Sequence, residues 1–315
     1  MDRKKKILIV TNMYPHQDKP NYGTFVKEQI KAIKDLNPSY DFEILFIKGY
    51  INPFNYIRAI FQIRKLVQEK EFDIIHAHYG LSGFVCCFQR KIPIICTFHG
   101  GDVQYVQWQG VISRITSLFI KHSIAVSPNI KKKLPSRNVR VIPCGVFFDL
   151  FKPFDKKKAK SKLGLDPKKR YILFPGNPKV IRKNYALFKK VIDLLKVHFE
   201  DIEELILWGF NRKEVMYALN SAEVVLFTSF SEGSVTVLKE ALACNIPVVS
   251  VDVGDSEEIL HKLPGCYITT YDANELFGKT SKVLEGKKRV NYRNKIRRFS
   301  NKEISKKIIT LYESI

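Results

Sequence analysis

No apolar run in the sequence approaches the roughly 20 residues a bilayer-spanning helix needs, so any membrane attachment would be peripheral. The six cysteines, Cys86, Cys87, Cys96, Cys144, Cys244 and Cys266, form no C-x-x-C pair. Most sit in apolar segments, which favours a reduced cytoplasmic protein over a disulfide framework or a zinc site. The G-x-G-x-x-G turn of dinucleotide dehydrogenases is absent. The opening MDRKKKILIV runs directly into a strand pattern, without the apolar segment of a signal peptide. Acidic residues are scarce, with 31 Asp and Glu against 53 Lys and Arg, a formal charge of +22. That balance favours anionic partners: nucleic acid, an acidic membrane surface or phosphorylated substrates. Residues 152–170 and 279–307 concentrate it, and part of it is ordinary lysine-rich solvation.

What is present is a long alternation of strands and helices. KILIVT (6–11), FEILFI (42–47), DIIHA (73–77), PIICTF (93–98), SIAVS (123–127) and VRVIP (139–143) read as strands. They are continuous apolar runs, the mark of burial on both faces of a parallel sheet. Helices fit 24–36, 54–70, 81–90, 108–121 and 128–133. FFDLFKPFDKKKAKSKLG reads as a linker, with its prolines and charge run. A second series follows, with strands at 170–174, 204–208, 223–227, 246–251 and 266–270. Its helices fit 183–198, 212–220, 234–244, 255–261, 273–285 and 301–313. The expectation is an α/β chain of two Rossmann-like domains, 1–152 and 153–298, with parallel sheets facing across a cleft. A C-terminal helix, 299–315, could cross back to the first domain.

The stretch SFSEGSVTVLKEALACNIPVVS (229–250) is the most informative. A buried strand, VVLFT, leads into a loop, and Ser234 is a natural N-cap for the helix that follows. Val235, Leu238 and Leu242 fall on its core face. Ligands of parallel sheets bind at the carboxyl ends of strands, where this loop lies. Backbone N–H groups at the helix start suit a phosphate or diphosphate, and Gly233 permits close approach. Glu240 lies six residues beyond Ser234, about 9 Å along the axis, a distance suited to a ribose diol. Glu232 would face the other end of the ligand. The competing reading is a solvated glutamate pair on a surface helix.

In these segments the sequence resembles the retaining glycosyltransferases of family 4 (group 1), with the GT-B fold. EGSVTVLKEALACNIPVVS is similar to that family's E-x7-E signature, with Glu232 and Glu240 in place. YGTFVKEQIKAI (22–33) resembles its first glycine loop, and FDIIHAHYGLSG and TFHGGDV its acceptor-domain loops. VIPCGVFFDLFKP resembles its hinge, although Phe147 stands where the family has Asp. NPKVIRKN (177–184) resembles its donor-phosphate loop. The resemblance implies glycosyl transfer from a nucleotide sugar, expected to be a UDP-sugar, with retention at the anomeric carbon. The acceptor would be a glycan or lipid-linked chain in cell-surface polysaccharide synthesis. It further implies that Glu240 holds the ribose, and that Glu232 with Gly233, Ser234 and Val235 meets the sugar and diphosphate. Lys183 would neutralise the departing diphosphate, Gly23 and Thr24 would approach it, and His99 would contact the transferred sugar. The family arginine six residues before the lysine is Asn177 here, and Arg182 is the candidate replacement. No cofactor or metal is expected. No D-x-D motif is present, and basic residues with a helix terminus would serve in place of Mg²⁺.

Several residues keep a plainer alternative. His76 and His78 form H-x-H, a metal pair without a third ligand nearby, for which a cleft wall is the better expectation. His99, before Gly100 and Gly101 at a strand end, is either a ligand group or a packed ring. A lysine at a helix start, such as Lys183, is unfavourable unless an anion is near. PFNYIRAIFQIRKLVQ (53–68), with Arg58, Arg64 and Lys65, is a core helix or one that dips into a monolayer. The alternative functions are a basic nucleic-acid-binding protein and a sugar-nucleotide epimerase on the same architecture. No nucleic-acid recognition motif is found, so no specific nucleic acid is expected. The expected location is cytoplasmic, peripheral on the inner face of the plasma membrane if an anionic surface is a partner.

Overall fold

A computed structural model describes residues 3–104, 108–286 and 290–315; 287–289, within the second basic stretch, lie outside it. The chain divides into two compact units, Met1–Gly145 with Asn301–Ile315, and Val146–Ser300.

The first unit runs β1 (Lys5–Thr11), α1 (Thr24–Leu36), β2 (Tyr40–Phe46), α2 (Asn55–Glu69), β3 (Ile74–His78), α3 (Gly80–Cys86), β4 (Ile94–Phe98), α4 (Trp108–Phe119), β5 (His122–Ala125), α5 (Pro128–Lys133) and β6 (Val139–Val141). Its strands form one sheet in the order β2-β1-β3-β4-β5-β6, every pairing parallel. The order reverses between β1 and β3, the switch point where ligands of such sheets bind. Apolar clusters lie on both faces, which is why these strands read as unbroken Ile, Leu and Val. Local signals set the helix starts. At α5, Ser127 accepts from the Ile130 N–H and Pro128 opens the first turn.

The second unit runs α6 (Lys156–Lys162), β7 (Arg170–Phe174), α7 (Tyr185–His198), β8 (Ile202–Ile206), α8 (Arg212–Ser221), β9 (Ala222–Phe227), α9 (Thr236–Ala243), β10 (Val248–Val251), α10 (Ser256–Leu260), β11 (Tyr267–Thr269), α11 (Ala273–Glu285) and α12 (Tyr292–Lys295). Its five strands pair in parallel in the order β11-β10-β9-β7-β8. The last helix, α13 (Asn301–Glu313), belongs to the first unit and packs on α1. Its Ile304, Ile308, Leu311 and Tyr312 join the core beside Ile30 and Ile33.

Helices expected at 24–36, 128–133, 273–285 and 301–313 and the strand at 170–174 have the expected limits. Other segments are corrected. The lysine-rich stretch taken as linker contains α6, capped by Asp155 on the Lys158 N–H. Phe151 just before it is wholly buried in the second unit's core, as is Val146, so that unit begins earlier than residue 153. Lys160 is buried too, its ammonium donating to the Pro167 and Lys169 carbonyls. The strand expected at 204–208 starts at Ile202, which pairs with Arg170. Lys183 was expected at a helix start; it lies in a separate 3-10 turn, Ile181–Lys183, with Asn184 left-handed (φ 51°) before α7.

Candidate active site

In the second unit, the loop after β9 carries Glu232, and α9 carries Glu240. The competing reading, a solvated glutamate pair, is overturned. Glu240 is 0 % exposed, and only 14 % of the Glu232 side chain is exposed. Glu232 Oε1 accepts from Lys183 Nζ at 2.5 Å, and Oε2 from Arg182 at 3.2 Å. Arg182 also donates to the Ser231 carbonyl. Two cations thus converge on one carboxylate, which leaves the cluster with a positive excess.

The loops that bring them together are tied by backbone. The Phe230 N–H donates to the Arg182 carbonyl at 2.8 Å, and the Thr228 hydroxyl sits between the Lys183 and Asn184 carbonyls. The Tyr271 hydroxyl donates to the Ser229 carbonyl, and its ring packs on Phe230. At Gly176 a Cβ would lie 3.0 Å from Lys183 Cε, so a hydrogen there lets the lysine stem pass. Asn177 is drawn into a local turn, accepting from the Lys179 N–H. Arg182, rather than Asn177, is the residue that reaches Glu232.

Glu240 Oε1 accepts from Arg212 at 2.8 Å. Its Oε2 is buried and has no hydrogen-bond partner among the described residues. Arg212 opens α8, whose start is fixed by a reciprocal Asn211–Glu214 capping box, and its guanidinium also stacks over Phe151. A buried carboxylate with one oxygen unpaired is costly, and such a site readily accepts a ligand hydroxyl.

The helix start differs from expectation. Ser234 does not cap α9: the cap position is Val235, without a side-chain bond. The Ser234 hydroxyl donates to Asp255 Oδ2 and accepts from Lys239 Nζ. The Val235 N–H, expected to face a diphosphate, donates to Asp255 Oδ1 at 2.7 Å. Asp255 therefore brings its own anion to this helix terminus, balanced by Lys239 at 2.7 Å, both nearly inaccessible. Gly233 belongs to the same loop. At Gly254 (φ 64°) a Cβ would meet the Gly233 carbonyl and Val235, so the loop rests on that glycine.

In the first unit, His99 follows β4. It is half-buried, with Phe25 at 4.6 Å and Tyr79 at 4.9 Å between ring centroids. Its Nε2 is 3.0 Å from His78 Nδ1. Asp102 holds the turn by accepting from the N–H groups of Gly80, His99 and Gly100. His76 and His78 are both 0 % exposed, so they form no cleft wall. His76 spends its two nitrogens on the Tyr312 hydroxyl and Thr97, which leaves neither for a metal. Burial lowers the His78 pKa to about 3, and burial then neighbouring His78 hold His99 well below 6.5. Burial pushes Asp102 up to about 6 against its backbone hydrogen bonds. Gly23 (φ 68°) precedes Thr24 at the start of α1; a Cβ there would lie 2.3 Å from the Met13 carbonyl oxygen. Among the described residues no group of three or more His, Cys, Asp or Glu is placed to hold a metal ion.

Arg212, Asp255, Lys239 and Asp102 were not among the residues singled out from the sequence. Lys239 adjoins Glu240 and Asp102 adjoins Gly101, but nothing in the position of either announces burial.

Two Rossmann-like units, each with an all-parallel sheet, the second carrying buried Glu240 and part-buried Glu232 with their cations, define a GT-B glycosyltransferase architecture. The Glycosyltransferase Family 4 model matches residues 9–149, and the model for Glycosyl transferases group 1 matches residues 190–286. The chain belongs to the group 1 glycosyltransferases of family 4. It is 23 % identical, over 82 % of its length and 83 % of the relative's, to the protein named as a teichuronic acid biosynthesis glycosyltransferase, TuaC, of Bacillus subtilis. It is 25 % identical to a D-inositol 3-phosphate glycosyltransferase of a Mycobacterium species, over 58 % of this chain and 52 % of that one. Its fold is similar to sucrose-phosphate synthase from Thermosynechococcus elongatus, with a TM-score of 0.79 at 16 % identity over 98 % of both chains. It is also similar to HepE of Anabaena, described in complex with UDP and glucose, with a TM-score of 0.76 at 16 % identity over 99 % and 100 %.

Proposed function

We propose that this protein moves a sugar from a nucleotide-diphosphate sugar, a UDP-sugar, to a glycan or lipid-linked acceptor in polysaccharide or glycoconjugate synthesis, with retention at the anomeric carbon. The observation that carries this reading is Glu240, buried and fixed by Arg212 through one oxygen while the other lacks a partner. A ribose hydroxyl donating to that oxygen would remove a desolvation cost of about 1–3 kcal/mol. The UDP described with HepE, a protein of the same fold, supports a uridine donor.

In this reading Glu232 stores Lys183 and Arg182 until a diphosphate arrives. The cations then turn to phosphate oxygens, and the freed carboxylate accepts sugar hydroxyls. Negative charge grows on the diphosphate as the glycosidic bond breaks, so cations already in place favour the transition state over the ground state. They act here without a metal or cofactor. Gly23 and Thr24 are the first unit's proposed approach to the diphosphate, and His99 its proposed contact with the transferred sugar. A neutral His99, as its lowered pKa implies, can exchange a hydrogen bond with a sugar hydroxyl without adding charge.

The test is transfer from UDP-sugars to lipid-linked and glycan acceptors, with the product's anomeric configuration read by NMR. A product that keeps the donor's configuration is expected. An inverted product contradicts the retaining reading, and release of an epimerised sugar without transfer supports the epimerase instead.

A further inference from the structure

α4 is packed inside out. Its buried positions are Gly110, Ser113, Thr116 and Ser117. From Val111 onward its exposed positions are Val111, Ile115, Leu118 and Phe119, all apolar, and Trp108 stands exposed at its start. The small buried stripe lies against α3, where a Cβ on Gly80 would strike Ser113 and one on Gly83 would crowd Thr116. The three buried hydroxyls are satisfied within the helix, Ser113 on the Gln109 carbonyl, Thr116 on Ile112 and Ser117 on Arg114. Small residues inward with large apolar ones outward is the arrangement of helices whose outer face meets hydrocarbon. In water such a face has no compensation, and contiguous exposed apolar surface of this kind marks an interaction site.

α2 adds a second stripe. Ala59, Ile63 and Val67 face the core, while Phe54, Ile57 and Phe61 are exposed beside Arg58, Arg64 and Lys65. Arg64 of α2 and Phe119 of α4 both line a groove of about 680 Å³, with Phe84, Phe88, Arg90 and Lys91 of α3 and its following loop between them. Between Ile44 and Phe148 the only acids are Glu69, Glu71, Asp73 and Asp102, and the last is buried. The face is thus apolar at its centre and basic at its edge.

We propose that α2, α4 and the loop after α3 form a docking face for an anionic phospholipid bilayer, with the groove at Arg64, Arg90 and Lys91 taking lipid phosphates. A second copy of this chain would bring the same positive charge to the contact and be repelled. A bilayer supplies hydrocarbon for the apolar stripes and phosphates for Arg64, Arg90 and Lys91, whereas Lys65 is already paired with Glu69 at 3.6 Å. No helix of the described residues is long and apolar enough to cross a membrane, so α2 and α4 lie in the interface, apolar side chains reaching the acyl boundary. This inference does not depend on the nucleotide-sugar reading.

The test is co-sedimentation with vesicles of phosphatidylcholine, with and without phosphatidylglycerol. Trp108 is one of only two tryptophans, so a Trp208→Phe background makes it a reporter. Expected are binding to the anionic vesicles at low salt, release near molar salt and a blue shift of Trp108 emission on binding. Arg64→Glu, Arg90→Glu and Lys91→Glu should each lower partitioning about fivefold or more. Leu118→Ser with Phe119→Ser should lower it at least about tenfold. All these positions are at the surface, and unchanged melting curves would show the fold intact. Equal binding to both vesicle types, binding to neither, or unmoved Trp108 emission would overturn the proposal. So would dimerisation lost in the Leu118/Phe119 variant without any vesicle binding.

Discussion

Glu240 and Arg212 form an asymmetric pair: a wholly buried carboxylate gives one oxygen to a guanidinium at 2.8 Å and keeps the other unpartnered among the described residues. Glu240→Gln should therefore weaken binding of a nucleoside diphosphate by about 1.5–3 kcal/mol, the worth of a hydrogen bond to a charged group. Calorimetric titration measures this directly. Unchanged affinity would remove Glu240 from the binding site.

Arg212→Ala separates structure from binding. It leaves a buried carboxylate without its counter-ion, and breaking a buried pair costs about 3–5 kcal/mol. A quarter of the Arg212 side chain is exposed, so solvent screening lowers the expected loss below that range, to about 2–3 kcal/mol in chemical unfolding. A loss below about 0.5 kcal/mol would mean that the pair does not exist in solution.

Lys183→Ala should chiefly lower kcat/KM, because its partner is the charge that develops on the leaving diphosphate. Arg182→Ala should act in the same direction but less, since its contact with Glu232 is longer and the side chain is more exposed. Steady-state kinetics of both variants and their combination decide the matter. Full activity in Lys183→Ala with loss in Arg182→Ala would reverse the two roles.

The first unit should lose stability in acid. Burial lowers the pKa of His76 well below 6.5 and that of His78 to about 3. A depressed folded pKa contributes stability that is present above the unfolded pKa and lost as pH falls through the folded one. For His78 that window is about 6.5 down to 3, worth several kcal/mol at its full extent. Asp102, raised to about 6, works oppositely: its contribution is complete below about 4 and lost as pH rises through 6. With two wholly buried histidines against one aspartate, melting temperature should fall from pH 6.5 to 4, less steeply in His78→Asn. A flat profile would contradict neutral, buried rings.

The strands were legible because both faces of each sheet are covered, which leaves unbroken apolar runs. The glutamate spacing was legible because Glu232 and Glu240 share one loop and helix. The counter-ion of Glu240 was not: Arg212 precedes it by 28 residues, and only the packing of α8 brings it there. Asp255 was hidden for the same reason, 21 residues beyond the hydroxyl it receives. α6 was missed because KKKAKSK has no apolar period, its helix resting on the Asp155 cap and one buried alanine and lysine. In α4 the helix was legible but not its orientation. Apolar residues would ordinarily point inward, yet the close approach of Gly80 and Gly83 admits only the small stripe.

Thermal shift against a panel of nucleotide sugars tests the central claim most directly, since a ligand of the native state adds RT ln(1 + [L]/Kd) to stability. At a hundredfold excess over Kd this is about 2.7 kcal/mol. A UDP-sugar should raise the melting temperature of the unaltered protein and raise that of Glu240→Gln far less. No shift with any nucleotide sugar, alongside a shift with DNA or heparin, would contradict a nucleotide-sugar site and return the +22 charge to nucleic acid.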